Sequence, residues 1–200
     1  MGKQLFEGGG EPSLLGALSG VPDPRSPHGR RHPLGAVLAL SVCAMLCGAR
    51  SIYAIAQWGR DQGAPIAREL GFTRDRTPCV ATLHGLFKRL DKERFERAVG
   101  GWLQEQVLEP GEALAVDGKT LRGIHGEQLP GVHLLAAYAH ESGIVVAQQA
   151  VGNKQNELSA LPGLLDQLGL QGRVITADAQ FTQREVCQAI LRKGGTTCLS

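Results

Sequence analysis

The hydrophobic pattern of this chain changes its period near residue 110. Before that point, apolar residues recur at the spacing of one helix face, as in "CVATLHGLFKRLD" (79–91). After it come three short apolar runs separated by Gly, Pro and Ser turn signals: "ALAVDGKTL", "VHLLAAYAH" and "GIVVAQQAV". Runs of this length between turn signals predict an antiparallel meander of three strands. The chain is therefore expected to fold as helices first and a sheet second.

The last fifty residues continue this pattern with alternating helices and strands. "NELSALPGLLDQLG" and "TQREVCQAILRKGG" predict helices, "RVITADAQ" predicts a β-branched strand, and "TTCLS" begins a last strand. The predicted class is α+β, with a helical N-terminal domain followed by a mixed sheet in the order β-β-β-α-β-α-β. That order is typical of the ribonuclease-H-like fold, here incomplete, in which the first and fourth strands lie side by side.

Three segments are predicted. Residues 1–20 are Gly-rich and expected to be poorly ordered, residues 21–110 form the helical domain, and residues 111–200 form the sheet domain. The helical domain begins with a Pro-rich loop, "VPDPRSPHGRRHP", and Thr77-Pro78 predicts the N-terminus of one of its helices. Residues 1–110 hold 14 Lys and Arg against 11 Asp and Glu, whereas residues 111–200 hold 7 against 8. The excess of positive charge therefore belongs to the helical part.

The tripeptide Gly118-Lys119-Thr120 poses the question of nucleotide binding. A P-loop requires a glycine five residues earlier and a helix directly afterwards. Ala113 occupies the first position, and "LRGIHGEQLPG" follows, which cannot open a helix. The P-loop interpretation fails, and Asp117 becomes the residue of interest.

Asp117 lies on the first predicted strand, and Asp178 ends the fourth. If those strands are neighbours, the two carboxylates meet at one edge and repel each other unless a cation lies between them. Their hard oxygen ligands suit Mg²⁺ or Mn²⁺. Two such ions can activate a nucleophile and stabilise the leaving oxygen of a phosphodiester. An aspartate at a strand end is also a common turn or cap residue, so the pair alone is weak evidence.

A family resemblance strengthens the metal hypothesis. The segments "AVDGKTLRG", "VGNKQNELSALPGLLDQLGLQGRVITADAQFTQREVCQAILRKGG" and "VPDPRSPHGRRHPLGAVLALSVCAMLCGARSIYAIAQWGRD" resemble bacterial insertion-sequence DDE transposases of the H-repeat-associated group. The resemblance runs from about Val21 to Gly195. It implies that Asp117 and Asp178 are the first two catalytic acids and bind Mg²⁺ or Mn²⁺, and that the helical leader binds terminal inverted repeats. It also implies a homodimer, with water and then a 3′-hydroxyl attacking DNA without a covalent protein intermediate.

The chain departs from the family pattern after Thr196. Family members continue with an Asp-Tyr strand, a lysine-containing segment and a distant helix that supplies the catalytic glutamate. Glu185 follows Asp178 too closely to be that acid, and Glu157 matches a family feature that helix capping explains equally well. The expectation is a truncated or frameshifted product that binds a divalent ion weakly and is inactive alone. The alternatives are a non-catalytic DNA-binding fragment and a decayed reading frame whose open sheet edge causes aggregation.

Several basic residues are candidate contacts for DNA phosphates, although solvated loops and turns explain them almost as well. Lys119 and Arg122 follow Asp117, Arg30 and Arg31 lie in the Pro-rich loop, and Lys88 and Arg89 would face DNA if their helix belonged to a helix-turn-helix.

His133 and His140 are expected at the rims of a strand. The five cysteines form no C-x-x-C pair, and the apolar run near residue 40 is too short to span a bilayer. The expected location is the bacterial cytoplasm, at the nucleoid and without a membrane contact.

Overall fold

The computed structural model describes residues 13–121, 132–152, 156–181 and 183–199. The chain divides into two compact units, Met1–Trp102 and Leu103–Ser200. The described residues form seven α-helices and five β-strands. No helix in the described residues is long and apolar enough to cross a membrane.

The first unit is built from helices. They are α1 (Leu14–Leu18), α2 (Leu34–Leu46), α3 (Ile52–Glu69), α4 (Val80–Phe87) and α5 (Lys92–Val107), the last of which continues past Trp102. Helix α2 packs against α1 and α3, and α3 packs against α4. The α2 segment from Ala36 to Val42 is buried at every position, as expected for a helix that is apolar on all sides.

Two helix boundaries depend on local backbone chemistry. Ser51 caps α3 by accepting a hydrogen bond from the Ala54 N–H at 3.1 Å. The prediction that Thr77 caps the next helix is wrong, because α4 begins at Val80 and its N-cap is Cys79. The Thr77 hydroxyl is instead buried without a hydrogen-bond partner among the described residues.

The second unit contains one mixed sheet in the spatial order β3-β2-β1-β4-β5. Its strands are β1 (Leu114–Leu121), β2 (Val132–Ala139), β3 (Val145–Val151), β4 (Val174–Ala177) and β5 (Thr196–Leu199). Strands β1, β2 and β3 pair antiparallel, whereas β4 pairs parallel with both β1 and β5. The expected pairing of the first and fourth strands is therefore present.

Two helices, α6 (Glu157–Leu165) and α7 (Arg184–Arg192), follow β3 and β4 respectively. Alternate residues of the central strands, among them Leu114, Val116 and Leu135, join a buried core with Leu164 of α6 and Ile190 of α7. The intervening residues of β1, Asp117 and Lys119, are exposed, because successive side chains on a strand point to opposite faces. One face of β1 therefore belongs to the core and the other carries charge.

Candidate functional site

The sheet register brings the two predicted acids to neighbouring positions. Val116 of β1 pairs with Ala177, the last residue of β4. Asp117 is the next residue of β1, and Asp178 is the first residue after β4. Paired strands such as these are about 4.8 Å apart. Both residues are exposed. Two carboxylates that lie 61 positions apart in the sequence thus reach the same part of the sheet.

The backbone after β4 holds Asp178 in place. Its Oδ1 accepts a hydrogen bond from the Ala179 N–H at 2.6 Å, and its carbonyl accepts one from the Phe181 N–H at 2.9 Å. These bonds close a short 3₁₀ turn, Ala179–Phe181, and Phe181 is buried in the core with 1% exposure. Because the turn is tied to the core, the position of Asp178 is fixed relative to β1.

A polar network borders this edge, and the sequence pattern did not reveal it. The Glu157 carboxylate contacts His133 Nε2 through Oε1 and accepts a hydrogen bond from Gln180 Nε2 through Oε2, both at 2.5 Å. His133 Nδ1 lies 2.9 Å from the Thr120 hydroxyl. A carboxylate can only accept hydrogen bonds, so His133 Nε2 donates one to Glu157. In the neutral tautomer that this requires, Nδ1 accepts a hydrogen bond from the Thr120 hydroxyl. The network therefore joins β1, β2, α6 and the turn after Asp178.

The N-terminus of α6 tests the capping interpretation of Glu157. The N-cap of α6 is Asn156, whose side chain accepts a hydrogen bond from the Ser159 N–H at 2.9 Å. Glu157 instead extends toward the sheet, where its carboxylate lies against Gly118. The capping interpretation of Glu157 is therefore wrong. His133, expected at a strand rim, is half-buried and lies within this network.

The carboxylate oxygens of Asp117 and Asp178 are of the type that a hard divalent cation prefers. Mg²⁺ is commonly bound by one or two carboxylates, with water and substrate phosphate completing its shell, and Asp117 with Asp178 matches that minimum. Among the described residues, no three His, Cys, Asp or Glu side chains are grouped so that they could hold a metal ion. The pair can therefore supply two ligands, and Glu157 is not positioned as a third.

The predicted DNA contacts fall into separate places. Lys119 is exposed on β1, two residues beyond Asp117, whereas Arg122 lies outside the described residues. Arg30, Arg31 and Arg89 line one cleft of the helical unit, and Lys88 is not part of its lining. Of the four DNA contacts predicted in that unit, the three arginines therefore share a cleft and Lys88 does not.

Comparison with known proteins gives matches along most of the chain. Residues 15–103 match a family model described as DDE_Tnp_1-associated, and residues 109–200 match one described as Transposase DDE domain. Over 184 residues the chain is 33% identical to "Putative transposase YncI" of Escherichia coli strain K12, covering 90% of this chain and 74% of that protein. It is 26% identical to "H repeat-associated putative transposase YhhI" of the same strain, covering 91% of this chain and 49% of that protein.

A solved structure of the piggyBac transposase synaptic complex with hairpin DNA is similar over 82% of this chain and 40% of its own. The identity is 14% and the TM-score is 0.38, a likeness too weak to bear on the fold. The chain spans about half the length of the YhhI relative.

Proposed function

This chain belongs to the DDE transposase family, in its H-repeat-associated group, and we propose that it acts in metal-dependent cleavage and strand transfer of DNA at the ends of an insertion sequence. The observation that carries the proposal is the register that sets Asp117 beside Asp178 on parallel strands. The proposed fold of the sheet unit is ribonuclease-H-like, and the proposed partners are terminal inverted repeats, target DNA and a second copy of the chain.

The proposal gives separate roles to four residues of the sheet unit. Asp117 and Asp178 bind Mg²⁺ or Mn²⁺ from adjacent strands, and the bound ion supplies the activation of a nucleophile and the stabilisation of a leaving oxygen. Lys119, exposed on the same strand as Asp117, contacts the phosphate that is being cut. Glu157 is a positioning residue, because its hydrogen bonds reach Gln180 in the turn after Asp178.

Two acids supply fewer ligands than a tight site requires, so this chain by itself is proposed to bind the ion weakly and to be inactive alone. Substrate phosphate adds oxygen ligands to such an ion. Metal affinity is therefore expected to rise when DNA is present.

The proposal is tested by replacing each acid with its amide. In Asp117→Asn and Asp178→Asn, Mn²⁺ binding followed by electron paramagnetic resonance should fall at least tenfold, with and without a duplex copied from the DNA that flanks this reading frame. Glu185→Gln is the control, because Glu185 is an exposed acid in the first turn of α7. Unchanged Mn²⁺ affinity in both aspartate variants would show that the pair is not a metal site.

A second candidate function, a DNA-binding protein without catalysis, is favoured by the arginine-lined cleft of the helical unit. The two functions differ in one measurable respect. When this chain is assayed for strand cleavage on the same duplex together with any C-terminal segment that its genome encodes, Asp117→Asn should abolish cleavage under the first function. Under the second function the unmodified chain binds the duplex without cleaving it, and Asp117→Asn leaves its DNA affinity nearly unchanged.

A further inference from the structure

The helical unit contains a cleft of about 620 Å³ formed by two loops and one helix. One wall is the loop between α1 and α2. The other is the loop before α4 together with α4 and Arg89, which follows it. Arginine is the commonest residue in the lining, and the lining residues that the structure describes include no Asp or Glu. The arginines are Arg25, Arg30, Arg31, Arg74, Arg76 and Arg89. We call this the arginine cleft.

Two of these arginines hold the first loop in shape. Arg25 forms an ion pair with Asp23 at 2.8 Å and donates a hydrogen bond to the His32 carbonyl at 2.9 Å. Arg30 donates to the Ser26 carbonyl at 3.1 Å and to the Arg25 carbonyl. The Arg25 guanidinium holds the pKa of Asp23 below its ordinary value, because its hydrogen bonds favour the ionised carboxylate. The loop is therefore braced by charge pairs rather than by regular structure.

Three other arginines of the cleft carry charge that no ion pair among the described residues offsets. Arg31, Arg74 and Arg76 are exposed, and within the described part of the chain they form no ion pair. Asp75, which lies between two of them in sequence, pairs with Arg68 at 2.5 Å instead. Like charges that converge on one cleft repel each other, so an anion bound between them is stabilised.

His32 is the buried polar residue of the cleft lining. It is 9% exposed and lines the cleft, and its Nδ1 is buried without a hydrogen-bond partner in the described structure. Burial lowers the pKa of His32, and the positive charges of Arg25, Arg74, Arg31 and Arg76 lower it further. A buried polar atom that lacks a partner requires an explanation. An anion bound in the cleft would offset the arginine field at this ring.

We propose that the arginine cleft binds backbone phosphates of duplex DNA without reading the bases. Guanidinium groups bind phosphate oxygens in bidentate geometry, and contacts of this kind fix the position of a protein on DNA while carrying no sequence information. The inference rests on the proposed function for the identity of the partner. Its test uses no divalent metal, so the cleft and the metal site can fail separately.

The test compares two triple variants of the full chain, each lacking three positive charges. Arg31→Ala/Arg74→Ala/Arg76→Ala removes three cleft arginines that form no ion pair in the described structure. Arg50→Ala/Arg60→Ala/Lys92→Ala removes three exposed charges that do not line it. Circular dichroism establishes that both are folded, and fluorescence anisotropy with a labelled 20-base-pair duplex in EDTA gives affinity across a salt series.

Each phosphate contact contributes about 0.9 to the slope of log affinity against log salt concentration. The cleft variant should therefore lose about 2 to 3 from that slope, and the control variant should lose less than one. Equal slopes for the two variants, or a cleft variant that binds like the unmodified chain, would overturn the proposal.

A second readout identifies the source of the phosphate. Inorganic phosphate added to the full chain should raise the pKa of His32, followed by NMR of its ring, because the bound anion offsets the surrounding arginines. The duplex should reproduce this change and compete with phosphate. If phosphate shifts the His32 signals but the duplex does not, the cleft serves a small phosphorylated ligand and the DNA assignment is wrong. Asp117→Asn should leave both responses intact.

Discussion

Gly118 lies where the strand bearing Asp117 passes the Glu157 carboxylate, and a single methyl group there should disturb the network around the candidate site. A Cβ atom at position 118 would lie 2.5 Å from Glu157 Cδ and 2.8 Å from its Oε2. Such distances are too short to persist, so one group must move. The backbone of Gly118 is fixed by its pairing with Leu135, and therefore the carboxylate is displaced from His133 and Gln180.

The cost of Gly118→Ala follows from the two hydrogen bonds that the carboxylate loses. A hydrogen bond to a charged group is worth about 1.5 to 3 kcal/mol, and the lower value applies here because the Glu157 side chain keeps 19% exposure. Two such bonds give about 3 kcal/mol. Alanine recovers about 0.5 to 1 kcal/mol, because it loses less backbone entropy than glycine in a strand. The expected net loss in the free energy of unfolding is about 2 kcal/mol.

Tryptophan fluorescence does not report on the sheet unit, because both tryptophans, Trp58 and Trp102, belong to the helical unit. Hydrogen exchange measured on peptides from β1 and β2 does report on it. A loss of about 2 kcal/mol corresponds to exchange roughly 30-fold faster. Gly169→Ala is the control in the same unit, because a Cβ there meets nothing within 4 Å and the backbone angle φ is not positive. It should leave exchange almost unchanged.

A double-mutant cycle identifies the cause. In a Glu157→Ala background the added methyl group meets no carboxylate, so Gly118→Ala should become neutral or slightly stabilising. In a Glu157→Gln background the amide occupies the same space, and the penalty should persist. The reasoning is refuted if Gly118→Ala destabilises β1 and β2 by the same amount with and without a side chain at position 157.

Three further substitutions test the packing and polar contacts of each unit by urea unfolding. Ser51→Ala removes the cap that binds the Ala54 N–H and should lower the free energy of unfolding by about 1 kcal/mol. An unchanged free energy of unfolding would contradict a stabilising role for this cap. Leu83→Ala empties a fully buried position and should cost about 2 to 5 kcal/mol, and a smaller loss would contradict close packing around α4. The backbone N–H of Ser142 holds the pKa of Glu112 below its ordinary value, so Glu112 stabilises the fold above pH 4.5 and this contribution is lost as the pH falls through the folded-state pKa. Glu112→Gln should therefore lower the urea midpoint at pH 7, and this effect should shrink as the pH is lowered below 4.5; an effect independent of pH would contradict this account.

The sequence by itself determined the order of the elements and the positions of the two acids on them. Helical spacing before residue 110 and short apolar runs after it are local signals, and the helices and strands that they predict are present in the structure. The neighbouring positions of Asp117 and Asp178 followed from that order, since a parallel pairing of the first and fourth strands places their ends together. The metal-binding role of the pair stays a prediction.

Only the tertiary structure decided what surrounds these residues. Glu157 and His133 are 24 positions apart, and the hydrogen bond between them depends on how α6 packs on β2. The arginine cleft joins two loops separated by two helices. No local pattern marks such contacts, because hydrophobic period and turn chemistry act over a few residues whereas these groups meet through packing over long separations in the chain. The sequence therefore indicated which residues carry charge, and packing decided which charges share a site.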